Sequence, residues 1–203
     1  MKIDDIRARV QHAARAPQTP SGDGTHEERK LAHTAQGRVV KPAAVLVLLQ
    51  VHSDGLHVVL TQRTAHLHDH AGQISFPGGR KDDTDGSLIE TALREANEEI
   101  CTDASLIEVI GALPTYVTIT AYEVTPIVAV SPPQSFRCDP FEVADVFTVP
   151  LSHLLDDQQW RRDSFMRAGT RREYWAVPYR ERYIWGATAG MLRTFKDTIA
   201  NTK

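Results

Sequence analysis

Residues 79–100 read GRKDDTDGSLIETALREANEEI, and their organisation decides the fold. Gly79 closes the run Phe76-Pro77-Gly78-Gly79, a sharp backbone feature in which two glycines permit positive φ or close approach to the main chain. From Ser87 to Ile100 the apolar spacing predicts a helix with Leu88, Ala92 and Ala96 on one face. Ser87 is placed to cap it, and Glu90, three residues on, completes a capping box. Near the other end Glu95, Glu98 and Glu99 stand at i, i+3 and i+4, which gathers them on one face. Three carboxylates so placed repel one another and weaken an isolated helix. A hard divalent cation offsets that repulsion, and oxygen ligands of this kind suit Mg²⁺ or Mn²⁺ bridging to substrate phosphates. The competing reading is a solvated acidic face. Arg94 and the glycine pair at fixed spacing favour the metal.

Outward from this segment the chain reads as one globular domain with an N-terminal arm. Residues 2–15 suit a short amphipathic helix with Ile3, Ile6, Val10 and Ala14 on one side, and residues 16–25 read as a flexible linker. Residues 1–36 are therefore expected to be a peripheral helix and linker, and 37–203 the domain proper. Val39 to Gln50 is a Val- and Leu-rich run that reads as a strand buried on both faces. The turn His52-Ser53-Asp54-Gly55 leads to a second strand, Leu56 to Thr61, and so to a hairpin. Residues 62–75 read as a polar, His-rich loop. Further strands are predicted at Leu106–Ala112, Tyr122–Val130 and Val143–Val149, with weaker ones at Phe165–Met166, Arg172–Val177 and Tyr183–Trp185. Ala187–Ala200 reads as a closing helix. Strands dominate, so the class is α/β (α+β) with a mixed sheet.

Composition narrows the function classes. The 203 residues are 41% hydrophobic and 24% charged, which excludes collagen, a disulfide scaffold and global disorder. A net charge of −3 implies no broad basic surface, hence no nucleic-acid partner. Cys101 and Cys138 are too few for a disulfide framework and favour a reducing compartment. No apolar run is long enough to span a bilayer, and the N-terminus has no leader-like apolar core, so a cytoplasmic location with no membrane partner is expected. The chain is expected to be a monomer or a homodimer.

The segment resembles the box of the Nudix hydrolases at Gly79, Arg94, Glu95, Ala96, Glu98 and Glu99. It departs at Asp85, where the family has Glu, in one extra residue between Asp85 and Arg94, and at Cys101 and Thr102, where the family has Gly and an apolar residue. The extra residue is a feature of the coenzyme A pyrophosphatase branch. Leu60, Thr61, Arg63, Gly72, Phe76, Pro77, Gly78 and Gly79 resemble the stretch upstream of the box in that branch, and His68 stands where the branch usually has Arg.

The resemblance implies an α/β/α sandwich around a mixed sheet, with a loop-helix-loop metal site. It implies metal-dependent hydrolysis of a small-molecule diphosphate, here coenzyme A or a derivative, to 3′,5′-ADP and 4′-phosphopantetheine. Nucleotide sugars or dinucleotides are the alternative substrates, and a nucleotide-binding module without turnover is a further alternative. Glu95, Glu98 and Glu99 are the metal candidates, and Glu98, Glu99 and Arg94 the catalytic ones, with Arg94 orienting a Glu by an ion pair. The proton acceptor is one of these Glu or one from a loop outside the box. Arg63, His68, His70, Gly78 and Gly79 are the substrate-binding candidates, with Arg63 expected on the 3′-phosphate or paired with an acidic loop residue such as Asp69.

Other residues are read plainly. Asp82, Asp83 and Asp85 suit a solvated turn. His66, His68 and His70 belong to a polar loop rather than a zinc site. Trp160, Trp175 and Trp185 suit core or interface positions rather than adenine-stacking platforms. Since Gly at position 101 would supply a C-cap, Cys101 there implies local strain.

Overall fold

The computed structural model describes residues 2–15, 33–35, 37–66, 72–167 and 170–200. The elements run α1 (Ile3–Arg15), β1 (Lys41–His52), β2 (Gly55–Arg63), β3 (Ile74–Ser75), β4 (Gly78–Arg80), α2 (Leu88–Ile100), β5 (Glu108–Ala112), β6 (Tyr116–Val117) and β7 (Tyr122–Ser131). They continue with β8 (Val143–Pro150), α3 (Leu151–Leu155), β9 (Arg161–Arg167), β10 (Thr170–Tyr179), β11 (Arg182–Trp185) and α4 (Gly186–Ala200).

The apolar run becomes the centre of a mixed sheet. β1 lies parallel to β7 from Lys41↔Tyr122 to Gln50↔Ser131, and antiparallel to β2 only near its end, from Leu49↔Val58 to His52↔Gly55. Because side chains alternate across a strand, Ala44, Leu46 and Leu48 pack with Ala92, Ala96 and Ile100 of α2. Val47 and Leu49 pack on the other face with α1, α3 and α4. The result is helices on both faces of a mixed sheet, as the expected class requires. A smaller sheet, ordered β11-β10-β9, extends from this body.

One feature of the sheet positions the site. β2 leaves β1 after Val58, and β4 takes its place, pairing Ala43↔Arg80, Ala44↔Gly79 and Val45↔Gly78. Meanwhile β3 pairs with the end of β2 at Thr61↔Ser75 and Gln62↔Ile74. The chain from Ile74 to Arg80 therefore bridges the split between two diverging strands.

The N-terminal arm departs from expectation. The helix forms, but Ile6 and Val10 are fully buried in the same core as β1 and α4. Arg7 also pairs with Glu108 of β5. The helix is a packed element and not a peripheral one, because its apolar stripe covers the face of the sheet that α2 leaves open. The linker read at residues 16–25 lies outside the described residues. β6 and α3 are short elements that no periodicity announced.

Candidate active site

The carboxylate helix forms with the predicted cap. Ser87 is extended, its hydroxyl accepts from the Glu90 N–H, and the Glu90 carboxylate accepts in turn from the Gly86 N–H at 2.9 Å. At the other end Cys101 takes the left-handed conformation (φ 52°, ψ 51°) while its N–H closes onto Asn97 O at 2.9 Å. The strain expected from the missing glycine is therefore present.

The two glycines hold the helix's carboxylates in place. Gly78 has φ +148°, and a Cβ there would lie 2.5 Å from Ala44 O. A Cβ on Gly79 would lie 2.4 Å from a Glu95 carboxylate oxygen. The Gly78 N–H donates to Glu99 at 3.2 Å. Glycine is required at 78, where a side chain would strike the paired backbone, whereas at 79 a Cβ would push the Glu95 carboxylate away from the main chain.

The three glutamates share a face but not an environment. Glu99 is buried, and desolvation pushes its carboxyl up to about 8 despite the Gly78 N–H and Arg63. Glu95 is partly buried and raised for the same reason. Glu98 is exposed and bonds to Arg94 at 3.1 Å. A fourth carboxylate, Glu142, sits in the loop before β8 and raises both Glu95 and Glu99 through its charge. That loop is anchored to the end of β2 by Thr64 N–H on Glu142 O at 3.0 Å and Thr64 Oγ1 on Phe141 O at 2.9 Å. Glu142 lies 43 residues from Glu99 in a stretch read only as strand onset, so no spacing pointed to it.

Arg94 organises this face. Its Nε and Nη2 fork onto Asp85 at 2.9 Å each, and its Nη1 reaches Glu95 at 2.9 Å and Glu98 at 3.1 Å. The expected orienting ion pair is present, and it makes Arg94 a positioning residue. Asp85 is not the solvated turn residue its neighbours suggested. It is buried, accepts also from Thr91 Oγ1 and the Asp82 N–H, and the Arg94 guanidinium holds its carboxyl well below the usual range. The shorter Asp serves where Glu would otherwise reach the arginine. The signal for it was its place in the box.

Arg63 faces the same site from the end of β2, with Nη1 3.6 Å from Glu99 Oε1 and its Nε buried without a partner. Its acidic neighbour is thus a box glutamate. Asp69, the loop partner considered for it, lies outside the described residues, as do His68 and His70. His66 is exposed and edges against Phe141.

The site suits a hard cation in its donor chemistry. Glu95, Glu98 and Glu99 offer carboxylate oxygens only, and Glu99 is a buried acid for which Arg63, at 3.6 Å, stands beyond hydrogen-bond distance. Among the described residues no three ligand-type side chains already converge on a point. Glu98 is turned to Arg94 on the exposed rim of this face.

Comparison with known proteins gives the family. A family model described as NUDIX domain matches residues 40–168. A Shigella flexneri protein named Uncharacterized Nudix hydrolase NudL is 43% identical over 164 residues, 80% of this chain and 84% of its own length. Its namesake from Escherichia coli O1:K1 / APEC is 43% identical over 155 residues, 75% of this chain and 80% of its own. Among solved structures, the M. smegmatis Nudix hydrolase RenU is 23% identical with a TM-score of 0.47, covering 56% of this chain and 73% of that one. The family match over most of the chain, together with 43% identity to Nudix hydrolases along most of their length, establishes that the chain belongs to the NUDIX domain family and is a Nudix hydrolase.

Proposed function

We propose that this enzyme cleaves the diphosphate of coenzyme A or its acyl derivatives, giving 3′,5′-ADP and 4′-phosphopantetheine or its acylated form. The observation that carries the hydrolytic reading is the pair Glu95 and Glu99 set against consecutive glycines in the split between β1 and β2. The substrate rests on the resemblance of Leu60–Gly79 to the coenzyme A branch.

A diphosphate is a poor electrophile because its own negative oxygens repel a nucleophile. Nudix hydrolases generally work with divalent metal ions. Here Glu95, Glu98 and Glu99 would hold Mg²⁺ or Mn²⁺, which neutralises diphosphate charge and acidifies water when bound. The chain's own groups do the rest. Arg94 fixes Glu95 and Glu98 from behind, with Asp85 locking its guanidinium. The Gly78 N–H aims Glu99. Arg63 stands beside Glu99, so its contact is with the reacting diphosphate and not with a remote 3′-phosphate. The water's proton passes to a carboxylate, and Glu142 faces the pair from outside the helix.

The test is a panel of coenzyme A, an acyl-coenzyme A, ADP-ribose and diadenosine polyphosphates, with Mg²⁺ and with Mn²⁺, products identified by mass. Preference for coenzyme A supports the reading. Preference for another diphosphate moves the substrate, and no turnover of any removes the hydrolytic mechanism. Arg63→Ala should raise KM alike for coenzyme A and dephospho-coenzyme A. A loss confined to coenzyme A returns Arg63 to the 3′-phosphate.

A further inference from the structure

We propose that Cys101 and Cys138 are a reversible disulfide pair, through which an oxidant ties the end of α2 to the loop before β8 and slows turnover. Both thiols are free; Cys101 follows directly on the last residue of α2, and Cys138 lies in that loop. Two backbone hydrogen bonds bracket the pair. The Arg137 N–H donates to Ile100 O at 3.2 Å, and the Asp139 N–H to Glu99 O at 2.9 Å. Each cysteine is therefore one residue from a bonded one, on segments that lie side by side. Backbones joined in this way run ~4.8 Å apart, and a disulfide spans Cα separations of ~4.4–6.8 Å. A third tie, from the Asp103 N–H to Gln134 Oε1 at 2.9 Å, continues the same contact.

The two thiols differ as an attacking and a resolving sulfur do. Cys101 is exposed, whereas Cys138 is half-buried and packs on the cluster that holds Ala96 and Ile100. Burial and then the Asp145 charge push the Cys138 thiol up, and Cys101 is close enough to add to this. A thiol so held is slow to ionise, so Cys101 meets the oxidant first. Cys101 also stands at φ 52°, where any Cβ is disfavoured and glycine is at ease. Strain of this kind collects at functional and switching positions.

The oxidant is a peroxide. The Cys101 sulfur attacks one peroxide oxygen, the O–O bond breaks, and a sulfenic acid forms at Cys101. With hydrogen peroxide the leaving hydroxide takes the thiol proton and departs as water. The Cys138 sulfur then attacks the Cys101 sulfur; the S–S bond forms, the S–O bond breaks, and a second water leaves with the Cys138 proton. Two electrons pass from the sulfurs to the peroxide, and a dithiol reductant returns them by exchange.

The bridge joins two sides of the carboxylate site. Glu99 stands two residues before Cys101, and Glu142 follows Cys138 on a turn that its own N–H closes onto Asp139 O at 3.2 Å. Among the described residues no three ligand-type side chains converge, so they have to draw together for a cation to be held. A covalent bond between the helix end and the loop opposes that movement. The effect on turnover rests on the hydrolytic reading, but the bridge itself does not.

The test treats the full, reduced chain with hydrogen peroxide and maps its peptides by mass without reduction. The Cys101 and Cys138 peptides should appear joined, from a chain that stays single, and separate again with dithiothreitol. Cys138→Ser should stop at a sulfenic acid on Cys101 that dimedone traps, whereas Cys101→Ser should give neither bridge nor adduct. Because the bridge closes a long loop, oxidation should raise the urea midpoint of the parent by about 1 M and leave both serine variants unchanged. Turnover of the parent should fall about fivefold or more on oxidation, recover with dithiothreitol, and hold steady in both variants. Thiols that oxidise separately, a bridge that forms only in urea or only between chains, or a bridged parent with full turnover overturns the proposal. In a chain that turns over no diphosphate even when reduced, the joined peptides and the urea midpoint still decide the bridge, and it is the hydrolytic reading that falls.

Discussion

Glu99→Gln should make the metal-free protein more stable while removing most of its turnover. A carboxylate with an ordinary value of 4.5 is pushed to about 8 by burial. Its folded value lies above its unfolded one, so ionisation opposes folding, and stability falls as pH rises from about 4.5 towards 8. By linkage the opposition at pH 7 is about 3 kcal/mol. The amide carries no charge and keeps the volume and an acceptor for the Gly78 N–H. The folded value already includes the attraction of Arg63, so the gain for the neutral amide at pH 7 stays at about 3 kcal/mol. The assay is urea denaturation of both proteins with chelator from pH 5 to 8.5. The variant should match the parent near pH 5 and exceed it increasingly towards pH 8. Millimolar Mg²⁺ should stabilise the parent and not the variant, closing the gap. A difference that is flat with pH, or a variant less stable at pH 8, refutes the argument that burial opposes ionisation of Glu99.

Cys101→Gly should stabilise the fold by about 1 kcal/mol, since glycine meets no Cβ penalty at φ 52°, and a lower urea midpoint would show that the thiol makes a compensating contact. Ile6→Ala should cost about 2–5 kcal/mol in the same assay, because the side chain is fully buried, whereas a peripheral helix would lose nothing. Asp85→Asn should lower turnover roughly 10–100-fold by loosening Arg94 behind Glu95 and Glu98. The parent's Asp85 is ionised far below the usual range, so the stability it lends is present above about pH 4 and fades as pH falls; the variant should lack that acid-side slope.

What the sequence discloses here is what repeats locally. The β1 run and the α2 stripe each obey one period over ten or more residues, so their type and burial follow from pattern alone. The capping box and the αL strain at Cys101 are likewise local, each decided within four residues. Burial of α1 was not legible, because Ile3, Ile6 and Val10 make the same stripe whether the helix lies on the core or merely touches it. Its docking depends on Gly111, where a Cβ would meet Val10 at 2.7 Å. Glu142 was invisible for a related reason: it depends on the pairing of β8 with β2, which brings it to the box. A non-local pairing leaves no period in the chain.

The box helix shows why such a site is stored within a stable sheet. Among the described residues, Asp85, Glu95, Glu98, Glu99 and Glu142 are five carboxylates set against Arg63 and Arg94. Left to itself that helix face would repel its own residues. It persists because Ala92, Ala96 and Ile100 on the opposite side are fully buried against β1 and β7, and because Arg94 is held in place. Arg94 is fork-bonded to Asp85, whose own oxygens are held by Thr91 and the Asp82 N–H. The sheet thus holds an excess of negative charge in one place, partly out of water, ready for a divalent cation to offset it. The strain at Cys101 and the burial of Glu99 are the stability given up for that readiness.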